Sequence, residues 1–536
     1  MFLCGFAYTE SPTRKGLAVQ TKNFDDGYLL GIDVGTTVSK SVVFDFDGHE
    51  VVVARCQTAV QHPIPASSEA DMQDIWGAVQ STIREIITRH GIPPTAIRAI
   101  GVSATVAGVW LLNEDKQPFR NAILWNDGRA ASILAAWEVD GTIKKIFNIS
   151  GNAIFPGMTL PTLRWLVENE PETLKTAQHL VWGKDWVRFN LTGEIHTDEG
   201  DLSQMPCDIR TRGYSDELFR LCGIKDVVRL FPPLAGSGEV IGHVTTKAAE
   251  ETGLLEGTPV VVGLGDVQAS IVGAGATRTG DACSIVGTSC LNNVVLDQAS
   301  FDPPGIGFQF LLVGNHWIRS LTNTAGTLNL EWFLNNLAAE ERFEAEKRGI
   351  SVYQIMEEEA ASVPIGSGGV IYHPYINTAG VAAPFMNAAA RAQFFGIEVD
   401  HERRHLLRAV YEGLALAMRE LYDLCPANVS EVLVTGGGAR STFWCQMFAD
   451  CTGRIMLVPE GSEFGAKGDA ILAGIGVGIY KDLEEARKLT FRLARVYEPD
   501  LKKTEQYAKV YELYRDIYMD MQEHWWHRHK LLKELG

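Results

Sequence analysis

Tyr28-Leu29-Leu30-Gly31-Ile32-Asp33-Val34-Gly35-Thr36-Thr37 begins as a short apolar strand and sets one carboxylate, Asp33, where the strand runs out. It then turns on Gly35-Thr36-Thr37 and returns as Ser41-Val42-Val43-Phe44-Asp45. A second turn, Asp45-Phe46-Asp47-Gly48, leads into Glu50-Val51-Val52-Val53-Ala54. Three short strands joined by tight turns predict an antiparallel start. Glycine lets backbone N–H groups approach an anion, and threonine hydroxyls add donors, so the turn at Thr36 and Thr37 suits a nucleotide's phosphates. Asp33 beside it suits Mg²⁺ held through its waters, because that ion prefers oxygen ligands and gives up water reluctantly. An ordinary hairpin with an exposed Asp reads the same way.

Neither of the commoner phosphate loops is present. The chain has no G-x-x-x-x-G-K-[ST], and its glycine clusters do not fit G-x-G-x-x-G followed by a helix. At 536 residues, more than one domain is expected. Hydrophobic residues make up 46% and charged residues 21%, which suits a globular protein with large cores. The net charge of -18 argues against nucleic-acid and anionic-membrane partners. Nine dispersed cysteines without a C-x-x-C pair predict free thiols in a reducing, cytoplasmic compartment. No stretch is long and apolar enough to span a membrane. Residues 1–26 read as an extension without an assigned role, and the short apolar run Met1 to Ala7 lacks the basic lead of a signal peptide.

Strand-like and helix-like segments alternate along most of the chain. Ala70 to His90 reads as a helix, Ile97 to Ser103 and Val109 to Leu112 as strands, and Pro161 to Asn169 as a helix. Pro259 to Asp266 reads as one buried strand ending in a carboxylate. Ser284-Ile285-Val286-Gly287-Thr288-Ser289, followed by Asn293-Val294-Val295-Leu296-Asp297, echoes the opening strand, G-T-[ST] turn and V-V-x-D strand. Two similar domains facing one another would place two such turns across one cleft; chance similarity is the other reading of so short a match. Arg403 to Leu424 reads as a long helix in which Gly413 marks close packing against another backbone. Glu431 to Thr435 is a strand that runs into Gly436-Gly437-Gly438-Ala439-Arg440 and a helix from about Ser441. That glycine turn lets a flat ring or a phosphate approach the backbone, or is simply tight. Thr504 to Leu535 reads as a helix whose stripe of Tyr507, Tyr511, Tyr514, Ile517, Tyr518 and Met521 is for packing. Its exposed faces would suit a homodimer.

Together these pieces resemble the FGGY carbohydrate kinases. The most specific match is Ala392-Gln393-Phe394-Phe395-Gly396-Ile397 with His405-Leu406-Leu407-Arg408-Ala409-Val410-Tyr411-Glu412, which is similar to the family's C-terminal signature. Leu124-Trp125-Asn126-Asp127-Gly128-Arg129 resembles the sugar-site segment of xylulokinases. Gly183-Lys184-Asp185-Trp186, Gly265-Asp266 and Glu463-Phe464-Gly465-Ala466 also resemble family landmarks.

The resemblance implies an α/β fold of two actin-like (ribonuclease H-like) domains with an ATP and sugar cleft between them. The expected boundaries are 27–272 for the sugar-site domain, 273–485 for the ATP-site domain and 486–536 for a C-terminal helical segment. It implies Asp266 as the catalytic base, Asp33 as the metal-associated carboxylate, and Thr36, Thr37, Gly287 and Thr288 at the phosphates, with Gly326 and Asn329 near them. Gly437, Gly438 and Thr442 fall at adenosine, and Trp125 and Asp127, with Asp266, at the sugar. The implied reaction transfers the γ-phosphate of ATP, with Mg²⁺, to a terminal hydroxyl of a small open-chain sugar or polyol. An actin-fold ATPase or scaffold without a sugar substrate is the alternative, and the Trp125 to Arg129 segment speaks against it.

Two departures bear on the substrate. Thr162 stands where the family usually has Lys. Ser103-Ala104-Thr105-Val106-Ala107-Gly108 lacks the polar side chains that xylulokinases and glycerol kinases place after the Ile100-Gly101 strand. Val106 and Ala107 make that surface small and apolar, which puts ordinary D-xylulose activity in question and leaves an L-xylulose-like pentulose or a tetritol such as erythritol.

Overall fold

The structure is a computed structural model that describes residues 27–204 and 206–535; the expected extension, residues 1–26, lies outside them. Tyr28–Val34 (β1), Val38–Phe44 (β2) and Glu50–Gln57 (β3) form the antiparallel start expected from their turns. Ile97–Ala104 (β4) joins β1 in parallel, while Val240–His243 (β5) and Pro259–Val261 (β6) complete the order β5–β6–β4–β1–β2–β3, with Leu264–Gly265 (β7) also on β4. The single strand expected over Pro259 to Asp266 is therefore two. Gly263, at φ +91°, breaks it, and a Cβ there would lie 2.0 Å from the Val102 carbonyl oxygen. Asp266 consequently opens the helix Asp266–Gly273 (α1) instead of ending a strand.

The second sheet repeats the first. Ala282–Val286 (β8) and Cys290–Leu296 (β9) form an antiparallel hairpin, extended by Phe308–Leu312 (β10) and His316–Asn323 (β11). Glu431–Thr435 (β12) lies parallel to β8 as β4 lies parallel to β1, followed by Ile455–Pro459 (β13) and the antiparallel Leu493–Tyr497 (β14). The short echo between the two G-T turns thus marks a repeated hairpin with the same parallel neighbour. Arg403–Asp423 (α2) packs on this second lobe, and a Cβ at Gly413 would lie 2.4 Å from the Tyr372 carbonyl oxygen, the close approach expected there.

A third helix, Phe464–Gly476 (α3), follows β13 yet lies on the first sheet. Side chains alternate along strands, and the parallel register pairs Leu29 with Ala99, Gly31 with Gly101, and Asp33 with Ser103 on one face of β1 and β4. The two glycines admit the backbone of α3: a Cβ at Gly31 would sit 1.9 Å from the Ala466 carbonyl oxygen. Leu29, Val42 and Phe44 then share a core with Ala466, Ala470, Leu472 and Ala473, which joins the lobes. The opposite face of β1, with Leu30, Ile32 and Val34, packs in the first lobe's own core.

The last helix, Leu501–Leu535 (α4), buries Tyr507, Tyr514, Ile517 and Tyr518 against the second lobe, so the tyrosine stripe is packing. Among the described residues all eight cysteines are free, and no helix is long and apolar enough to cross a membrane.

Close docking of α3 predicts that Gly31→Ala lowers the unfolding free energy by at least about 1–3 kcal/mol in a urea titration. Gly77→Ala, in the helix Met72–Arg84 with open space around its Cα, leaves stability unchanged or raises it by up to about 1 kcal/mol. Equal stability of Gly31→Ala and the unaltered protein would contradict the docking.

Candidate active site

Asp33 ends β1 on the face that α3 covers. A Cβ at Gly465, in the first turn of α3, would lie 3.1 Å from its Oδ2. Lys40 stands directly opposite Asp33 in the β1–β2 register, with Nζ 3.7 Å from Asp33 Oδ2 and 3.0 Å from Glu463 Oε2. Glu463 also pairs with Arg55. Burial raises the Asp33 carboxyl; Lys40 opposes that and Glu463 adds to it.

Asp266, half-buried, is the first residue of α1, and its Oδ1 accepts from the Val267 N–H at 2.8 Å. Burial, reinforced by the Asp33 charge, pushes its carboxyl up to about 7. The Asp33 charge thus acts on Asp266 across β4, the strand that lies between β1 and β7. Val106 stands beside them: its Cγ1 is 2.5 Å from where a Cβ on Gly265 would be. Ala107 is buried, so of the expected apolar pair only Val106 remains partly exposed.

The turn after β1 is tied to its surroundings by backbone bonds, Gly35 N–H to Val38 O at 3.0 Å and Thr58 N–H to Thr37 O at 2.9 Å. Thr37 is exposed and Thr36 half-buried. Trp125, 41% exposed, donates its Nε1–H to Thr36 Oγ1 at 2.9 Å. A hydroxyl that accepts from tryptophan keeps its own proton to donate elsewhere. Trp125 also meets Phe155 edge-on at 6.4 Å, and Phe155 meets Phe308 of β10 at 5.9 Å, so aromatic rings run from one lobe to the other.

The matching turn of the second lobe is Gly287-Thr288. Thr288 is exposed, and the turn's carbonyls accept from Gly326 N–H at 2.6 Å and Thr327 N–H at 2.8 Å. Gly326 is buried against this turn: a Cβ there would lie 2.4 Å from Gly287 O. The glycine run after β12 passes the same place, since a Cβ on Gly436 would be 2.7 Å from the Val286 carbonyl oxygen. Gly437 is exposed with open space over it, Gly438 is buried, and Thr442 is exposed at the start of the helix Thr442–Thr452.

Two expected contacts are placed otherwise. Asp127 has a fully buried side chain whose oxygens accept from Ser68 N–H at 2.7 Å and from Arg129 N–H, Nε and Nη2 at 2.9, 2.8 and 2.9 Å. Its carboxylate is engaged by two backbone N–H groups and the Arg129 guanidinium. Asn329 is likewise buried. It donates to Ala325 O at 2.9 Å and Gly326 O at 3.1 Å and accepts from the Tyr372 hydroxyl at 2.8 Å, so it braces the second turn from behind.

Three further side chains join the site, of which Glu463 and Lys184 lie in the expected landmarks and Lys40 does not. Lys40 and Glu463 flank Asp33, and the hairpin register seven residues after Asp33 was the available signal for Lys40. Lys184, in the expected landmark, is fully buried among Asp185, Asp198 and Asp201 at 2.8, 3.0 and 2.7 Å. Asp198 holds the Gly200 N–H at 2.8 Å, and Gly200 O accepts from Gln268, two residues after Asp266, at 3.0 Å. The buried ions therefore support the first turn of α1.

Two lobes of repeated topology, closing on a pair of G-T turns and two coupled carboxylates, define a phosphotransferase of the actin-like ATPase fold. Residues 28–273 match the N-terminal domain and residues 282–477 the C-terminal domain of the FGGY family of carbohydrate kinases. The L-xylulose/3-keto-L-gulonate kinase of Escherichia coli (strain K12) is 30% identical over 506 residues, covering 92% of this chain and 97% of that protein. The xylulose kinase of Bacillus subtilis (strain 168) is 30% identical over 508 residues, covering 92% and 96%. The solved structure of ligand-bound xylulose kinase from Lactobacillus acidophilus superposes with a TM-score of 0.84 at 26% identity, covering 92% of this chain and 98% of that one. The chain belongs to the FGGY family of carbohydrate kinases, and it is a sugar kinase that uses ATP as phosphate donor.

A carboxyl raised from 3.8 to about 7 destabilises the fold in its ionised form. Relative to Asp266→Asn, the unaltered protein is therefore equally stable near pH 4 and loses stability as pH rises through about 7. Melting temperatures of the two proteins between pH 4 and 8 check this; a constant difference would mean that Asp266 has an ordinary carboxyl.

Proposed function

We propose that the acceptor is a small open-chain ketose or polyol, phosphorylated at a terminal hydroxyl, and that Asp266 is its general base. The observation that carries this reading is the placement of Asp266, whose carboxyl is tuned to near neutrality at the strand ends beside Asp33. A base with such an affinity for protons is matched to accepting one at working pH. As the acceptor O–H loses its proton to Asp266, the oxygen bonds the γ-phosphorus. The bond from that phosphorus to the bridging oxygen then breaks, and ADP leaves with the electron pair.

The rest of the cleft aligns the reactants and balances charge. The Thr36 hydroxyl proton, the exposed Thr37 and the Gly287-Thr288 turn serve the phosphates, with Lys40 as the fixed cation next to them. Gly437, Gly438 and Thr442 form the open shelf for adenosine. Asp33, with the hydroxyls of Thr36 and Thr37 nearby, is an oxygen donor set of the kind Mg²⁺ takes when it keeps most of its waters. Held there by Asp33, the ion supplies neutralisation of the phosphate oxygens. Asp127 and Asn329 are positioning residues, one for the Trp125 segment and one for the second turn. The proposed domain limits are 27–272, 273–485 and 486–536, although the last of these takes in β14, an edge strand of the second sheet. The free cysteines favour a reducing compartment such as the cytoplasm.

Substrate choice rests on Val106. It stands next to Gly265-Asp266 and offers no hydrogen bond, so the surface there is apolar. Such a surface selects by fit. L-xylulose and related pentuloses, or a tetritol such as erythritol, therefore suit it better than an acceptor that needs polar partners there. The relatives' names, L-xylulose/3-keto-L-gulonate kinase and xylulose kinase, support the ketoses.

Two measurements test the reading. ADP release with D-xylulose, L-xylulose, erythritol and no acceptor should depend on an added acceptor and favour L-xylulose or erythritol over D-xylulose; release independent of all of them would leave an ATPase. Asp266→Asn should lower kcat by at least about 10²-fold while ATP binding by calorimetry is kept, and full turnover would remove the base assignment.

A further inference from the structure

We propose that Asp469 is a positioning residue for phosphoryl transfer: from the helix that joins the lobes, it holds Ser103 and, through it, the strand end that carries Asp33. Asp469 lies on α3, which belongs to the second lobe by sequence and to the first sheet by contact. A Cβ at Gly101 would lie 2.1 Å from the Asp469 carbonyl oxygen, so helix and strand backbones touch there. From that point the Asp469 side chain reaches along β4 toward the cleft, and Ser103 Oγ donates to its Oδ2 at 2.6 Å. Ser103 is no peripheral anchor. It pairs in parallel register with Asp33 on β1 and with Leu264 on β7, the short strand that leads into Asp266. One side chain from α3 therefore grips the rung of the sheet that lies between the two reactive carboxylates.

Packing alone does not call for this contact. Both residues are fully buried, and the second carboxyl oxygen of Asp469, Oδ1, is buried with no hydrogen-bond partner. Desolvating a carboxyl and leaving one oxygen unpartnered destabilises a fold. The same helix is already held by glycine-permitted backbone contact and by Ala466, Ala470, Leu472 and Ala473 in the shared core. Alanine at both 469 and 103 would serve that core without the penalty. What the carboxyl adds is direction. It fixes the α3 backbone and the Asp33–Ser103 rung as one unit, so movement between the lobes carries the reactive strand ends with it. Displacement of reacting groups by about 1 Å is enough to cost a large factor in rate.

The inference rests on the reading of Asp33 and Asp266 given above. The test compares Asp469→Ala, Asp469→Asn, Ser103→Ala and the Asp469→Ala/Ser103→Ala double variant, all in the full chain, by steady-state kinetics and melting temperature. Asp469→Ala and Ser103→Ala should each lower kcat by about tenfold or more, with the KM for ATP changed by less than about twofold. The double variant should be no slower than the slower single one, because both remove the same contact. Asp469→Asn keeps an acceptor for Ser103 and should restore most of the rate. The melting temperature of the double variant, which leaves neither partner stranded, should equal or exceed that of the unaltered protein. An unchanged kcat in Asp469→Ala, multiplied losses in the double variant, or a loss in rate that follows a loss in melting temperature would each overturn the proposal. Asp266→Asn, assayed alongside, separates the two readings. If it is inactive while Asp469→Ala is fully active, only the positioning role falls; if it is fully active, the base assignment falls.

Discussion

The molecule depends on one backbone-to-backbone contact. Gly31 and Gly101 remove every side-chain atom from one patch of the first sheet, and α3 of the second lobe lies directly on it. A side chain at either glycine would push the helix away by more than any local adjustment absorbs, because interiors are packed at crystal-like density. The contact places the first turn of α3, with Gly465, against the Asp33 carboxylate. It also lets the core around Leu29, Val42 and Phe44 continue into Ala466 and Ala470. The same patch therefore fixes the lobes and puts the chemistry at their junction.

Much of this was legible in the sequence, for identifiable reasons. The β1–β2 hairpin announced itself by apolar runs and by turn residues of fixed chemistry. Its echo at Ser284 to Asp297 anticipated the repeated topology, because a hairpin with the same turn has the same twist and takes the same parallel neighbour. Gly413 in α2 declared its close contact through the cost a glycine carries in a helix. The interior of the site was less readable. Nothing local announces that the Asp127 carboxylate pairs with an arginine two residues later. Asn329 sits in a helix whose inward face is set by Tyr372, forty-three positions away. The break at Gly263 depends on the Val102 carbonyl beneath it, which no stretch of neighbouring sequence reports. Asp469 escaped notice for a related reason: its partner Ser103 is 366 residues distant.

The electrostatics of the cleft turn on local placement, not on net charge. In the function proposed above, a chain with a formal charge of -18 takes a polyanionic nucleotide through local donors, the threonine hydroxyls of the G-T turns and Lys40 held between Asp33 and Glu463. Burial raises both the Asp33 and the Asp266 carboxyls, and the Asp33 charge raises Asp266 further. Behind them, Lys184 balances three aspartates without access to water. Removing one partner from such a cluster leaves an uncompensated charge and costs about 3–5 kcal/mol, so the support beneath α1 is rigid.

The hydrogen bond from the Trp125 indole to the Thr36 hydroxyl has a thermodynamic corollary. In the proposed function it joins the wall assigned to the acceptor to the loop assigned to the nucleotide, so one contact is shared by both sides. Free energies of binding are state functions, and any factor by which the acceptor alters affinity for ATP must be returned in full by ATP to the acceptor. In the proposed function, any such coupling between the two substrates has this one side-chain contact as a route.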